Sequence, residues 1–141
     1  MAAFVKYNSF AVNLAINTFV LTTGGSALKI ALSNTAGDVA PAGHTQLSTI
    51  TQIAYTNITE TVPALVTGVG SETPAGTWDM AGTDIVLNAT GAVATFQYVI
   101  LFDDTATNDE LIGSWDYGSG VTLANGESFT VDFGASIFTI T

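Results

Sequence analysis

Phe96-Gln97-Tyr98-Val99-Ile100-Leu101-Phe102 is apolar at every position except Gln97. Successive side chains of an extended chain point to opposite faces, so a run that is apolar throughout needs cover on both sides. The stretch predicts a central strand with protein packed above and below it. Asp103 to Glu110 follows as an acidic turn, and Leu111 to Tyr117 begins the next strand. On the other side, Ile85, Leu87 and Ala89 alternate with Val86 and Asn88 until Gly91 interrupts them.

Beyond the central strand, Val121 and Leu123 form one apolar set, and Phe129, Val131 and Phe133 form another. A two-residue turn at Asn125-Gly126 would send these sets to opposite faces. A three-residue loop, Ala124-Asn125-Gly126 with Gly126 left-handed, pairs Val121 with Phe129 and keeps both sets on one side. The three-residue hairpin is therefore expected, with Phe138 and Ile140 in a last alternating strand. Toward the N-terminus, Leu28, Ile30 and Leu32 alternate with Lys29 and Ala31. Ser33 to His44 reads as a loop, Thr45 to Val62 as extended chain with poor register, and Pro63 to Gly82 as a long loop with room for one short strand near Leu65 to Val69. Gly24-Gly25 breaks the chain before the first of these strands. Phe4, Tyr7, Phe10 or Ala11, and Leu14 recur at helical spacing, with Lys6, Asn8, Ser9 and Asn13 largely opposite. The expectation is a mostly β fold, an antiparallel β-sandwich or barrel of jelly-roll type with a short N-terminal helix. It forms one domain over 1–141, with 1–20 as a helical arm.

Composition narrows what such a domain does. A chain of 141 residues buries roughly two-thirds of its unfolded surface, and 48% of these residues are hydrophobic. Only 10% are charged, against about 25% in an average soluble protein. Twelve carboxylates face Lys6, Lys29 and no arginine, for a formal net charge of −10. Binding nucleic acid depends on cations that neutralise phosphates, so DNA and RNA are excluded as partners, and an anionic membrane surface would repel the chain. The absence of cysteine removes disulfides, thiolate metal sites and thiol catalysis. Phe10 to Leu21 is apolar but interrupted by Asn13 and Asn17, and no small-residue cleavage site follows. Neither a signal peptide nor a membrane segment is read, so the chain is expected to be made in a cytoplasm.

No catalytic pattern emerges. His44 is the single histidine and reads as a solvated loop residue. Asp103, Asp104, Asn108 and Asp109 lie on one turn, where paired carboxylates cannot flank a glycosidic bond; hard oxygen ligands from one loop suit a weak Ca²⁺ site instead. The plain reading of these four is an acidic turn. Gly68-Val69-Gly70 lacks the helix and lysine that phosphate binding requires. Trp78 and Trp115 are candidates for stacking on sugar, set against the commoner role of tryptophan in packing. Phe4, Lys6, Tyr7 and Phe10 are candidates for contact with a neighbouring subunit; alternatively the helix covers an open end of the sandwich.

Three further stretches carry a resemblance. They are Leu28-Lys29-Ile30-Ala31-Leu32-Ser33-Asn34-Thr35, the segment from Phe96 to Gly113 with its Phe102-Asp103-Asp104-Thr105-Ala106-Thr107-Asn108-Asp109-Glu110 turn, and Trp115-Asp116-Tyr117-Gly118-Ser119. Together with the opening Lys6-Tyr7-Asn8-Ser9-Phe10 and the ending Gly126-Glu127-Ser128-Phe129-Thr130-Val131-Asp132-Phe133, this order of segments resembles a family of small structural proteins of tailed bacteriophages. Pro41 to Gly82 resembles it least. The resemblance implies a virion component that is not an enzyme; apart from the weak Ca²⁺ site, no cofactor is expected. Its expected place is the outer head surface, as a capsid decoration (cement) protein. Its partners would be the major capsid protein and copies of itself, as homotrimers at local three-fold axes. A tail or head-tail junction component is the alternative within that class, and a host-surface or carbohydrate-binding module lies outside it.

Overall fold

The computed structural model describes residues 2–22, 25–72 and 75–141. In order, the elements are β1 (Phe4–Lys6), α1 (Ser9–Ala15), β2 (Leu28–Ser33), β3 (Ala64–Leu65), β4 (Gly68–Glu72), β5 (Trp78–Gly82), β6 (Ile85–Asn88), β7 (Phe96–Asp103), β8 (Glu110–Val121), β9 (Ser128–Val131) and β10 (Phe138–Ile140). Short 3-10 turns occupy Ala36–Val39 and Leu47–Thr49. One layer is a five-stranded antiparallel sheet in the order β1-β8-β7-β2-β3. The facing layer is a three-stranded sheet, β10-β5-β4, beside the β6-β9 pair. The architecture is mostly β and sandwich-like, and the sheets do not close into a barrel.

β7 lies in the middle of the large sheet, as its apolar run requires. Val99 and Leu101 face the main core with Leu28, Ile30 and Leu32 of β2, and with Met80, Leu87, Val131 and Phe138 from the opposite layer. Ile100 and Phe102 point the other way, into a second cluster with Tyr7, Ala31, Leu47, Ile50 and Leu111. The segment from Thr35 to Ile50 thus lies over the outer face of the large sheet. β8 is irregular: Leu101 pairs with Gly113 and Phe102 with Leu111, so Ile112 is an extra residue and the strand bulges there.

Four expectations need correction. The Val121–Phe129 hairpin does not form, since Val121 pairs with Phe96 and Phe129 with Leu87. Gly126 is left-handed at φ 86°, and Glu127 N–H closes the turn on the Ala124 carbonyl, yet the strands on either side belong to different layers. Pro63 to Gly82 is not a loop but holds β3, β4 and β5. Thr45 to Val62, expected as extended chain with poor register, pairs through the isolated bridges Gln46 with Glu110, Ser33 with Gln52 and Ile58 with Ala89, but the 3-10 turn at Leu47–Thr49 interrupts it. The helical arm over 1–20 shrinks to Ser9–Ala15, because Phe4–Lys6 pairs with β8 as a strand. Gly24 of the expected break lies outside the described residues.

The helix stops for a local reason. Asn17 adopts φ 62°, its N–H reaches the Leu14 carbonyl at 3.2 Å, and Thr18 N–H reaches the Asn13 carbonyl at 2.8 Å. This is a Schellman turn, and asparagine tolerates its left-handed position. The chain doubles back, so Phe10 and Phe19 stack at 5.8 Å and Leu21 also enters the core.

Tyr7, Tyr55 and Tyr117 have hydroxyls raised above their ordinary 10.0 by burial. A phenol harder to ionise in the fold than in the unfolded chain stabilises the fold below about pH 10, and that contribution is lost as pH rises. On alkaline titration at 295 nm, these residues should ionise together with loss of the far-ultraviolet dichroism. Stepwise ionisation near pH 10 with the fold intact would contradict this.

Candidate docking face and a buried acidic cluster

Ser33, Asp38 and His44 are the residue types of a hydrolytic triad, and the fold brings them together. Ser33 Oγ donates to Asp38 Oδ2 at 2.5 Å, and Thr51 N–H donates to the same oxygen at 2.8 Å. His44 Nε2 is 4.0 Å from Asp38 Oδ1, while its Nδ1 is 2.9 Å from Thr49 Oγ1. In a triad the imidazole stands between serine and carboxylate and takes the serine proton. Here the serine donates directly to the carboxylate, and both are sealed from solvent. The order is wrong for nucleophilic attack. The cluster instead fastens the Thr35–Ile50 segment to β2, helped by Tyr7, whose hydroxyl donates to the Asp38 carbonyl at 2.6 Å. His44 is therefore half-buried against this cluster rather than free in solvent, a correction to the loop reading.

The turn after β7 is largely occupied by internal bonds. Asp103 is fully buried, accepts from Ser26 Oγ, and accepts from Thr105 N–H at 2.9 Å. Asp104 pairs with Lys29 Nζ at 2.8 Å. Asn108 donates to Glu110. Burial, with Asp104 and Glu110 close by, pushes the Asp109 carboxyl up, and Lys29 pulls it partly back. The four candidate ion ligands are thus divided between a buried support and an exposed rim, and among the described residues no group of three or more His, Asp or Glu is placed to hold a metal.

Trp115 belongs to the core, 2% exposed, against Phe4 at 5.1 Å and Phe133 at 5.6 Å. It has no face left for sugar. Trp78 is half-buried and lines two surface hollows.

The docking candidates also divide. Tyr7 and Phe10 are buried, so they pack within the chain, as expected of a segment that covers an open end. Phe4 is half-buried, stacked on Phe138 at 5.5 Å, and Lys6 is exposed with no ion-pair partner among the described residues. Phe4, Lys6, Phe10, Phe138, Thr139 and Ile140 line a cleft of about 500 Å³. It lies where β1, the edge of the large sheet, meets β10, the edge of the facing one. Tyr7 N–H bonds to Ile112 across the sheet while Asn8 N–H bonds to Pro41 on the other side. By alternation the backbone groups of Phe4 and Lys6 point outward, away from β8.

One feature of this face was legible and missed: no aspartate or glutamate occurs before Asp38 or after Asp132. β1, α1, the turn after α1 and β10 are all free of carboxylates in a chain of net charge −10. Val5, Val12, Ile16 and Val20 are exposed on these same segments. Among the described residues no helix is long and apolar enough to cross a membrane. No family model, curated protein or solved structure matches this chain.

Proposed function

We propose that this chain is a non-enzymatic structural protein of a tailed-phage virion, a decoration protein of the outer capsid that bridges neighbouring major capsid subunits. The observation that carries the reading is the separation of surfaces. The segments β1, α1 and β10 form a cleft between two sheet edges with Phe4, Lys6, Phe10 and Ile140 in its lining and no aspartate or glutamate of their own; the twelve side-chain carboxylates lie on other segments, with Glu72 sharing a neighbouring hollow with Ile140. Protein contacts exclude charge from their centre and favour aromatic and apolar residues, whereas an acidic exterior stays hydrated and repels neighbours. The sequence resemblance to phage structural proteins gives the setting. Each copy contributes a modest contact, and repetition over the lattice multiplies it.

The copy number per purified virion, measured by quantitative mass spectrometry against the major capsid protein, tests this. A count comparable to the capsid protein supports a place across the shell. A count many times lower moves the chain to the tail or neck, and absence from the particle overturns the reading.

A further inference from the structure

Trp78 opens β5, and its partners across the strands are Glu72 of β4 and Ile140 of β10. Two hollows meet along this row. One, of about 420 Å³, has Leu14, Phe19, Leu21, Trp78 and Ile140 in its walls. The other, of about 290 Å³, adds Glu72 and Thr77 to the same Trp78 and Ile140. The indole is set by the strand beside it. A Cβ on Gly70 would lie 2.5 Å from its Cζ2 and 2.7 Å from its Cε2, so the ring rests on bare backbone. Its Nε1 is buried without an acceptor among the described residues, so the part of the ring that reaches the hollows is carbon. Charge along the row has one sign. Glu72 is exposed, and it is the one charged side chain among the described residues lining either hollow. Its Oε1 accepts from Gly76 N–H at 2.9 Å, which holds the carboxylate over the turn. Asp79 stands on the opposite face of the same strand, with Oδ1 buried and unpartnered among the described residues. Of the two lysines, Lys29 pairs with Asp104 and Lys6 lines the separate cleft beside β1.

We infer that the Trp78 row receives a basic side chain, arginine or lysine, of a partner protein. The methylene stem lies on Trp78 and Ile140, and the cationic head meets Glu72. Directly opposed residues on antiparallel strands have Cβ atoms about 4.5–5.5 Å apart, so ring and carboxylate reach one guest group together. Indole attracts cations best among the aromatic rings, a guanidinium stacks on it, and a carboxylate completes the contact through charge-assisted hydrogen bonds. Charge selects against the other occupants. An acidic group would enter against Glu72 and a net charge of −10. A wholly apolar side chain would fill the walls but strip water from the Glu72 carboxylate and return no hydrogen bond. Long basic side chains bring both halves, an apolar stem and a charged head. The site is separate from the Phe4–Lys6 cleft and takes any basic partner, so it stands or falls apart from the virion reading.

The test is a titration of the purified chain, followed in proton–nitrogen correlation spectra, with the peptide acetyl-Gly-Arg-Gly-amide. Its control is the same peptide with citrulline, which keeps the shape of arginine and lacks the charge. The two tryptophans give two indole signals, and Trp78→Ala assigns them. The arginine peptide should shift the Trp78 indole and the Glu72 amide with a millimolar Kd, as befits a single side chain on an open surface. The Trp115 indole, enclosed in the core, should stay still. The citrulline peptide should bind several-fold more weakly. Raising salt from about 10 mM to about 500 mM should weaken the arginine peptide several-fold, since screening acts on an exposed pair. Glu72→Gln changes an exposed side chain, keeps the fold, and should cost as much as removing the charge from the ligand. Equal binding of both peptides overturns the inference, as does a Trp78 indole unmoved at tens of millimolar arginine peptide or an affinity untouched by Glu72→Gln.

Discussion

Trp115→Ala is expected to lower stability by about 3–5 kcal/mol, the range for removing a large aromatic side chain from a packed interior. Trp115 is among the largest fully enclosed side chains, and it joins elements distant in sequence. Its ring meets Phe4 of β1 at 5.1 Å and Phe133, near the chain's other end, at 5.6 Å. The backbone of Trp115 pairs with both Phe4 and Val99, so it sits between the edge strand and the central one. Removing the indole leaves a cavity that these neighbours cannot fill without shifting strands held on both sides. A domain of ordinary stability has about 5–15 kcal/mol in total, so the variant should melt far below the parent or fail to fold at physiological temperature. Trp78→Ala removes a half-buried ring from the rim of a hollow and should cost much less. Chemical denaturation of both variants measures the difference. Equal costs would mean that Trp115 is not the packing centre assigned to it.

The same contrast explains what the sequence revealed and what it hid. Faces were legible. Leu28, Ile30 and Leu32, Val99 and Leu101, and Val131 and Phe133 all reach the main core, because alternation in a strand is local. Partners were not legible. Val121 and Phe129 enter the same core as expected, yet each pairs with a residue more than twenty positions away, and no spacing rule distinguishes that from a hairpin. β4 and β5 were hidden for a different reason. Their glycines look like loop punctuation, but a Cβ on Gly70 would lie 2.4 Å from the Leu21 carbonyl oxygen and 2.5 Å from the Trp78 ring. In this pair of strands glycine is a packing residue. The Ser33–Asp38–His44 cluster had no sequence signal, since it depends on the Thr35–Ile50 segment folding back over the sheet. The carboxylate-free segments that border the cleft did have one, the empty run before Asp38, visible once charge is read by position rather than as a net sum.

Gly113→Ala is the complementary case, in which adding one methyl group is expected to destabilise by about 1–3 kcal/mol, the usual cost of overpacking a full interior. The bulge at Ile112 turns both Ile112 and Gly113 toward the inner face, and the missing side chain at Gly113 is replaced by the ring of Phe4. A Cβ there would stand 2.2 Å from two carbons of that ring and 3.0 Å from the Val5 carbonyl oxygen. Such distances leave two ways out. Either Phe4 gives up its contacts with Trp115 and Phe138, or β1 lifts from β8. Both open the seam where the two layers meet. The mechanism is separable from a general intolerance of substitution by a double-mutant cycle with Phe4→Ala. If the clash with the ring is the cause, the double variant loses much less than the sum of the single losses, because the methyl group then occupies space the ring has vacated. Additive losses would place the strain in the Val5 carbonyl and the bulge backbone instead. In either case β1 is held by one residue's lack of a side chain, so the edge that borders the cleft is sensitive to a single methyl group.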